Sequence, residues 1–229
     1  FFIPRKWNPT CLSLSSDEKV ILAGDFFGIY LISLDSWNII ADYQTGRIQC
    51  ASFLPSGNRA ITGGDELLLW DFELRSVICR FKGHIGRIQS LAVTPDGKRA
   101  VTGGEDATIR LWDLQKKQEI WSVEGYKVNF QSIAISSDGN KILAGGDKII
   151  RLIDLNDGSE IQKISGHKGY TLSIAFSPDG KKAVSGGTDN IVRLWDLING
   201  HQIRGYKVFG SWTGSVGFYP DGRFAFSED

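Results

Sequence analysis

A repeat of about forty residues governs what this chain can fold into. A turn signature returns as Pro55-Ser56-Gly57, Pro95-Asp96-Gly97, Ser137-Asp138-Gly139, Pro178-Asp179-Gly180 and Pro220-Asp221-Gly222, with glycines spaced 40, 42, 41 and 42 residues apart. A second signature, Trp70-Asp71, Trp112-Asp113, Ile153-Asp154 and Trp195-Asp196, keeps the same period, as do Gly83-His84, Gly125-Tyr126 and Gly166-His167. Three anchors locked in phase make each copy one supersecondary unit that stacks on the next. A weaker copy, Ser16-Asp17-Glu18 followed by Ile29-Tyr30-Leu31-Ile32, stands one repeat earlier.

Between anchors the residues read as short strands. Ile88 to Val93 alternates in apolar character and turns at Pro95-Asp96-Gly97; Arg99 to Thr102 follows, then a Gly-Gly-Glu-Asp turn, then Thr108 to Trp112, and a last strand surrounds Ile120-Trp121-Ser122-Val123. Four such strands, punctuated by Gly, Pro and Asp, leave no room for a helix. One sheet of this kind cannot bury both faces, so copies must stack face to face, and a closed ring is the natural solution.

These residues resemble WD40 repeats over nearly the whole chain. The resemblance implies an all-β, WD40-type β-propeller with about five and a half four-stranded blades, part of a six- to eight-bladed ring. A leader, 1–6, is expected to precede blades near 7–46, 47–86, 87–127, 128–169 and 170–211, with a partial blade over 212–229. The sequence has no methionine, even at position 1, and stops inside a repeat, which reads as an excerpt of a longer polypeptide.

Composition excludes several classes. Lys+Arg and Asp+Glu both number 26 among 229 residues, so the basic excess of a nucleic-acid binder is missing. No apolar run nears the length of a spanning helix and no signal-peptide pattern is present, so neither a membrane nor a secretory route is expected. Cys11, Cys50 and Cys79 show no CxxC spacing and suggest a reducing, cytoplasmic setting. The three histidines never approach metal-ligand spacing, and neither a metal nor a cofactor is expected.

His84, Thr102, Asp106 and Trp112 follow at intervals of 18, 4 and 6, and His167, Ser185, Asp189 and Trp195 repeat them. Ser-His-Asp sets invite a hydrolase reading. A triad is needed once, however, and would want a strained nucleophile turn such as GxSxG, which is missing. The resemblance implies instead a buried hydrogen-bond chain from Trp through Ser/Thr and His to Asp. Repeat two has Gln44 at the histidine position beside Thr62, Asp65 and Trp70; repeat four has Tyr126, Ala144, Asp147 and Ile153; repeat one has Ala23, Asp25 and Ile32. Those blades are expected to lean on apolar packing. Cys11 and Cys50 fall where Ser90, Ser132, Ser173 and Ser215 stand, small residues suited to a taper near the ring axis. The pairs Gly63-Gly64, Gly103-Gly104, Gly145-Gly146 and Gly186-Gly187 are no phosphate loops, because no lysine and helix follow, and they are expected to open hairpins.

The resemblance also implies a protein or peptide partner on the top face. Carried over blade by blade, its first set of positions is Asn8, Arg47, Arg87, Asn129, Tyr170 and Trp212. The second is Thr10, Gln49, Gln89, Gln131, Leu172 and Gly214, with Glu105 and Thr188 before the two aspartates. The arginines suit a carboxylate or phosphate, and Tyr170 and Trp212 an apolar anchor. The expected function is a non-catalytic interaction scaffold, or a sensor or regulatory domain of a larger signalling protein. The alternative is a propeller that serves an enzyme: a fused NTPase, kinase or protease beyond this excerpt. An enzymatic propeller in its own right would converge charged residues on its innermost strands, where Ser, Cys, Ala and Gly stand here.

Overall fold

Repeats one, three, four and five turn the first strand into the second by the same local chemistry. In blade three, Thr94 Oγ1 donates to Asp96 Oδ1 at 2.6 Å, which also accepts from the Lys98 N–H at 3.0 Å. Ser136–Asp138 and Ser177–Asp179 repeat the device. Gly97, Gly139, Gly180 and Gly222 all sit near φ +70°, a left-handed conformation that costs an L residue about 1–2 kcal/mol. That cost is the physical reason for the recurring Asp-Gly. In the weak first repeat Glu18 occupies this position at φ 58°.

The computed structural model describes residues 8–124, 126, 128–208, 212–223 and 225–228; the leader and Gly125 lie outside them. Described residues form five antiparallel four-stranded sheets, over 11–44, 48–81, 88–123, 132–165 and 171–207, and a two-stranded sheet over 215–228. Within each four-stranded blade the strands pair in chain order, and no described residue is helical. The third and fourth strands slip register at one recurring place, just before Ile32, Trp70, Trp112, Ile153 and Trp195.

The core lies between blades rather than within them. Four apolar clusters each straddle two consecutive sheets; one joins Leu54, Ile61, Leu69 and Phe81 of blade two to Ile88, Ala100 and Trp112 of blade three. This is the face-to-face burial that a single sheet cannot supply. Trp70, Trp112 and Trp195 are among the largest side chains fully removed from water.

Two devices let the blades approach along their innermost strands. Ser90 Oγ accepts the Ile133 N–H at 2.8 Å, Ser132 Oγ that of Ile174 at 3.0 Å, and Ser173 Oγ that of Val216 at 3.1 Å. The small residues of the taper are thus also clasps to the next blade. The glycine pairs do more than open hairpins: a Cβ on Gly63 would lie 2.7 Å from Ile88 of the next blade, and one on Gly64 only 1.9 Å from the Arg47 carbonyl oxygen. Cys50 Sγ lies 3.6 Å from Gly63 O, and burial pushes its thiol well above the ordinary value, and that of Cys11 up to about 11. Neither is a ready thiolate at neutral pH.

Candidate partner-binding face

The quartets assemble as continuous chains. In blade three the Trp112 indole N–H donates to Thr102 Oγ1 at 2.8 Å, Thr102 Oγ1 meets His84 Nε2 at 2.7 Å, and His84 Nδ1 meets Asp106 at 2.9 Å. Blade five matches it: Trp195 to Ser185 at 2.8 Å, Ser185 to His167 Nε2 at 2.7 Å, His167 Nδ1 to Asp189 at 3.0 Å. With Nδ1 protonated, each donor finds an acceptor, the condition under which polar groups are buried without penalty.

Both imidazole side chains are almost dry, 4% and 0% exposed. Burial lowers the histidine pKa values, more than their aspartates raise them, so the rings are neutral at pH 7. For Asp106 and Asp189 burial works upward as the largest single influence. The Ile85 and Lys168 N–H groups and the histidines together outweigh it, and both carboxyls end low. The hollow beside His84 is small, about 200 Å³, and both ring nitrogens are already engaged within the protein.

Sequence reasoning missed the third-strand arginines. Arg110, Arg151 and Arg193 each stand two residues before Trp112, Ile153 and Trp195, a recurrence visible in the sequence once the repeats are aligned. Arg193 Nη1 reaches Asp189 at 2.8 Å and lies 2.7 Å from His167 Nδ1. Arg110 works through Thr108, whose hydroxyl donates to Asp106 at 2.9 Å. In blade four Arg151 replaces the histidine outright. Its guanidinium forks onto Asp147 at 3.0 and 2.9 Å and lies over the Tyr126 ring at 4.8 Å. Its Nε, 3.8 Å from Glu160, has no hydrogen-bond partner. Blade four is therefore not simply an apolar version of its neighbours. Blade two keeps the Trp70–Thr62 bond at 3.0 Å, but Gln44 is exposed and Asp65 turns out to solvent.

The top-face positions divide into two regions. On the arginine side, Arg47 Nε donates to Gln49 at 2.8 Å, Gln49 to Gln89 at 3.4 Å, and Gln89 to Glu105 at 2.7 Å. Arg87 is flanked by Asp65 at 3.5 Å and Glu105 at 3.7 Å, and Arg47 lies 4.5 Å over the Phe26 ring. Arg87 carries its own counter-charges and Arg47 is engaged by Gln49 and the Phe26 ring, so neither matches the free anion-gripping fork expected from sequence.

On the other side Asn129, Gln131, Tyr170, Leu172, Thr188 and Trp212 line one groove of about 590 Å³, completed by Val128 and Gly146. Gly146 is required at its floor, since a Cβ there would lie 2.0 Å from the Asn129 carbonyl oxygen. Thr188 Oγ1 accepts the Tyr170 N–H at 2.9 Å, and the Thr188 N–H donates to Tyr170 O at 2.9 Å, which fixes the backbone that presents the ring. Tyr170 and Trp212 are 63% and 62% exposed, well above what aromatic rings show in a packed interior. Asn8 and Gly214 are exposed outside this groove, and Thr10 is tied to the carbonyls of Gly24 and Ile48. Among the described residues no group of three His, Cys, Asp or Glu side chains could hold a metal ion, and no helix is long and apolar enough to cross a membrane.

The profile of the family described as "WD domain, G-beta repeat" matches residues 75–113, 117–154 and 158–196. No curated protein matches the chain. WD40 repeats generally mediate protein–protein interaction. With half its length matched, and with its sheets, quartets and period all in register with that profile, this chain belongs to the WD40 family.

Proposed function

We propose that the protein is a non-catalytic interaction module that holds a partner protein in the groove between Tyr170 and Trp212. One observation carries this reading: six positions picked independently on three successive blades line a single groove. Its volume lies in the range of ordinary ligand sites. Exposed Trp and Tyr are the residue types enriched where interface energy concentrates. The arginine side supplies a stiff polar border rather than the main anchor, because Arg47, Gln49, Arg87, Gln89 and Glu105 already bond one another. The dry, fully bonded quartets favour fastening over chemistry. Three free thiols, raised in pKa by burial, suit a reducing, cytoplasmic setting, where such a module would act as a sensor or regulatory part of a signalling protein.

The test is selection of peptide ligands against the chain, followed by single substitutions. Trp212→Ala should weaken the selected ligands by roughly tenfold or more, and Arg87→Ala by less than about threefold. Ligands indifferent to both Trp212→Ala and Tyr170→Ala would show that partners dock elsewhere.

A further inference from the structure

The groove's lining is uncharged, and its polar groups are unspent. Among the described residues neither the Asn129 nor the Gln131 side-chain amide has a hydrogen-bond partner, nor does the Trp212 indole N–H or the Tyr170 hydroxyl. The equivalent amides of Gln49 and Gln89 are consumed in the chain that runs from Arg47 to Glu105. The acids next in sequence to the groove are consumed too: Asp147 by Arg151, and Asp189 by His167, Arg193 and the Lys168 N–H.

From this, and resting on the reading above, we infer that the groove recognises a proline-rich segment in the polyproline II conformation. Such a segment makes no internal hydrogen bonds, so its carbonyls are free to accept, and its prolines bring no N–H that needs an acceptor. A groove with four free donors complements that chemistry. Exposed Trp and Tyr rings offer flat faces for pyrrolidine rings, as aromatic-lined grooves do in polyproline recognition generally. The segment is ordered before it binds, so little entropy is lost on docking. Other occupants fit less well. A carboxylate would find no cation in the lining, and a lysine or methylated lysine no carboxylate. A helix, its backbone bonded internally, would leave the free donors without main-chain acceptors.

The experiment titrates the ¹⁵N-labelled 229-residue chain with a short oligoproline peptide and follows the indole N–H resonance that Trp212→Ala removes. The expected result is a saturable shift of that resonance, with no shift from a Gly-Ser peptide of equal length. By calorimetry, Trp212→Ala should weaken oligoproline binding roughly tenfold or more, and Asn129→Ala with Gln131→Ala by a few-fold. An unchanged thermal transition shows that these exposed positions have not altered the fold. No saturable shift, or oligoproline binding unaffected by Trp212→Ala, overturns the inference. If a trimethyl-lysine or acidic peptide moves the Trp212 resonance while oligoproline does not, the ligand class is wrong and the groove stands. If selected ligands of every class ignore Trp212 and Tyr170, the groove reading falls as well.

Discussion

Blade three ties its turn aspartate to a histidine, blade five to a histidine and Arg193 together, and blade four to an arginine with no histidine. The outcome at the top face is similar: Asp106, Asp147 and Asp189 all sit in fixed turns at the ends of their second strands. The means differ. A histidine chain reaches from the aspartate down to a buried tryptophan and ties two adjacent strands to the turn between them and to the connection that enters the blade. The Arg151 fork ties one aspartate and leans on Tyr126 and Phe130. Losing the motif residues therefore does not mean losing the fastening. Blade four gives up depth of connection and keeps the turn, and that turn carries Gly146, the floor of the groove. Ligand-binding surfaces benefit from rigid support, so on the proposed reading of the groove the pinned turns would serve binding.

The largest effect should come from cutting a histidine chain at its hub. Thr102→Val is nearly isosteric but leaves the Trp112 indole N–H and His84 Nε2 unpaired in a dry site. At about 1–3 kcal/mol per orphaned group, the loss should be about 2–6 kcal/mol. Denaturant unfolding of the whole chain reads it, and a loss below about 1 kcal/mol would mean that the chain is ornamental. Arg151→Met should cost less, about 1–3 kcal/mol, because Asp147 keeps the Ile149 N–H at 2.8 Å and is 20% exposed. A neutral or stabilising Arg151→Met would return blade four to the apolar packing expected from its sequence, and the comparison would fail.

The fold was legible because its causes are local and repeated. Asp-Gly marks a left-handed turn residue, period-two alternation marks a half-buried strand, and the 41-residue phase stacks the copies. The quartets were legible for the same reason: the intervals of 18, 4 and 6 recur unchanged in two repeats, and they bring two strand residues and two loop residues together. What the sequence hid depends on neighbours across blades. Nothing in Ser132 announces that its hydroxyl takes the Ile174 N–H, and nothing in Arg87 announces that Asp65 and Glu105 flank it. Arg151 was hidden differently. It shares its register with Arg110 and Arg193, but only coordinates show it taking over from a missing histidine. The groove was half legible: six of the expected positions line it, while the unspent state of Asn129 and Gln131 became visible only beside the spent Gln49 and Gln89.

A gentler way to separate the two kinds of blade is acid. Burial depresses the pKa values of His84 and His167, so the native state resists protons that the unfolded chain accepts from about pH 6.5 downward. More protons on the unfolded state mean that stability rises with pH through that window and is lost as pH falls toward the depressed native values. Above the window the full contribution is present. The low aspartates add their own loss only further down, near ordinary carboxylate values. Blade four contributes a permanent guanidinium charge in place of an imidazole, so it supplies no slope in the histidine window. The urea midpoint of the wild-type chain should therefore fall gradually below about pH 6.5, while a His84→Gln, His167→Gln variant, less stable throughout, should be flat there until the carboxylates titrate. Hydrogen exchange should place the early acid loss in blades three and five and spare blade four. Equal acid sensitivity in all three blades would show that the histidines do not set the slope, and that arginine and imidazole fasten these turns with no difference that pH can read.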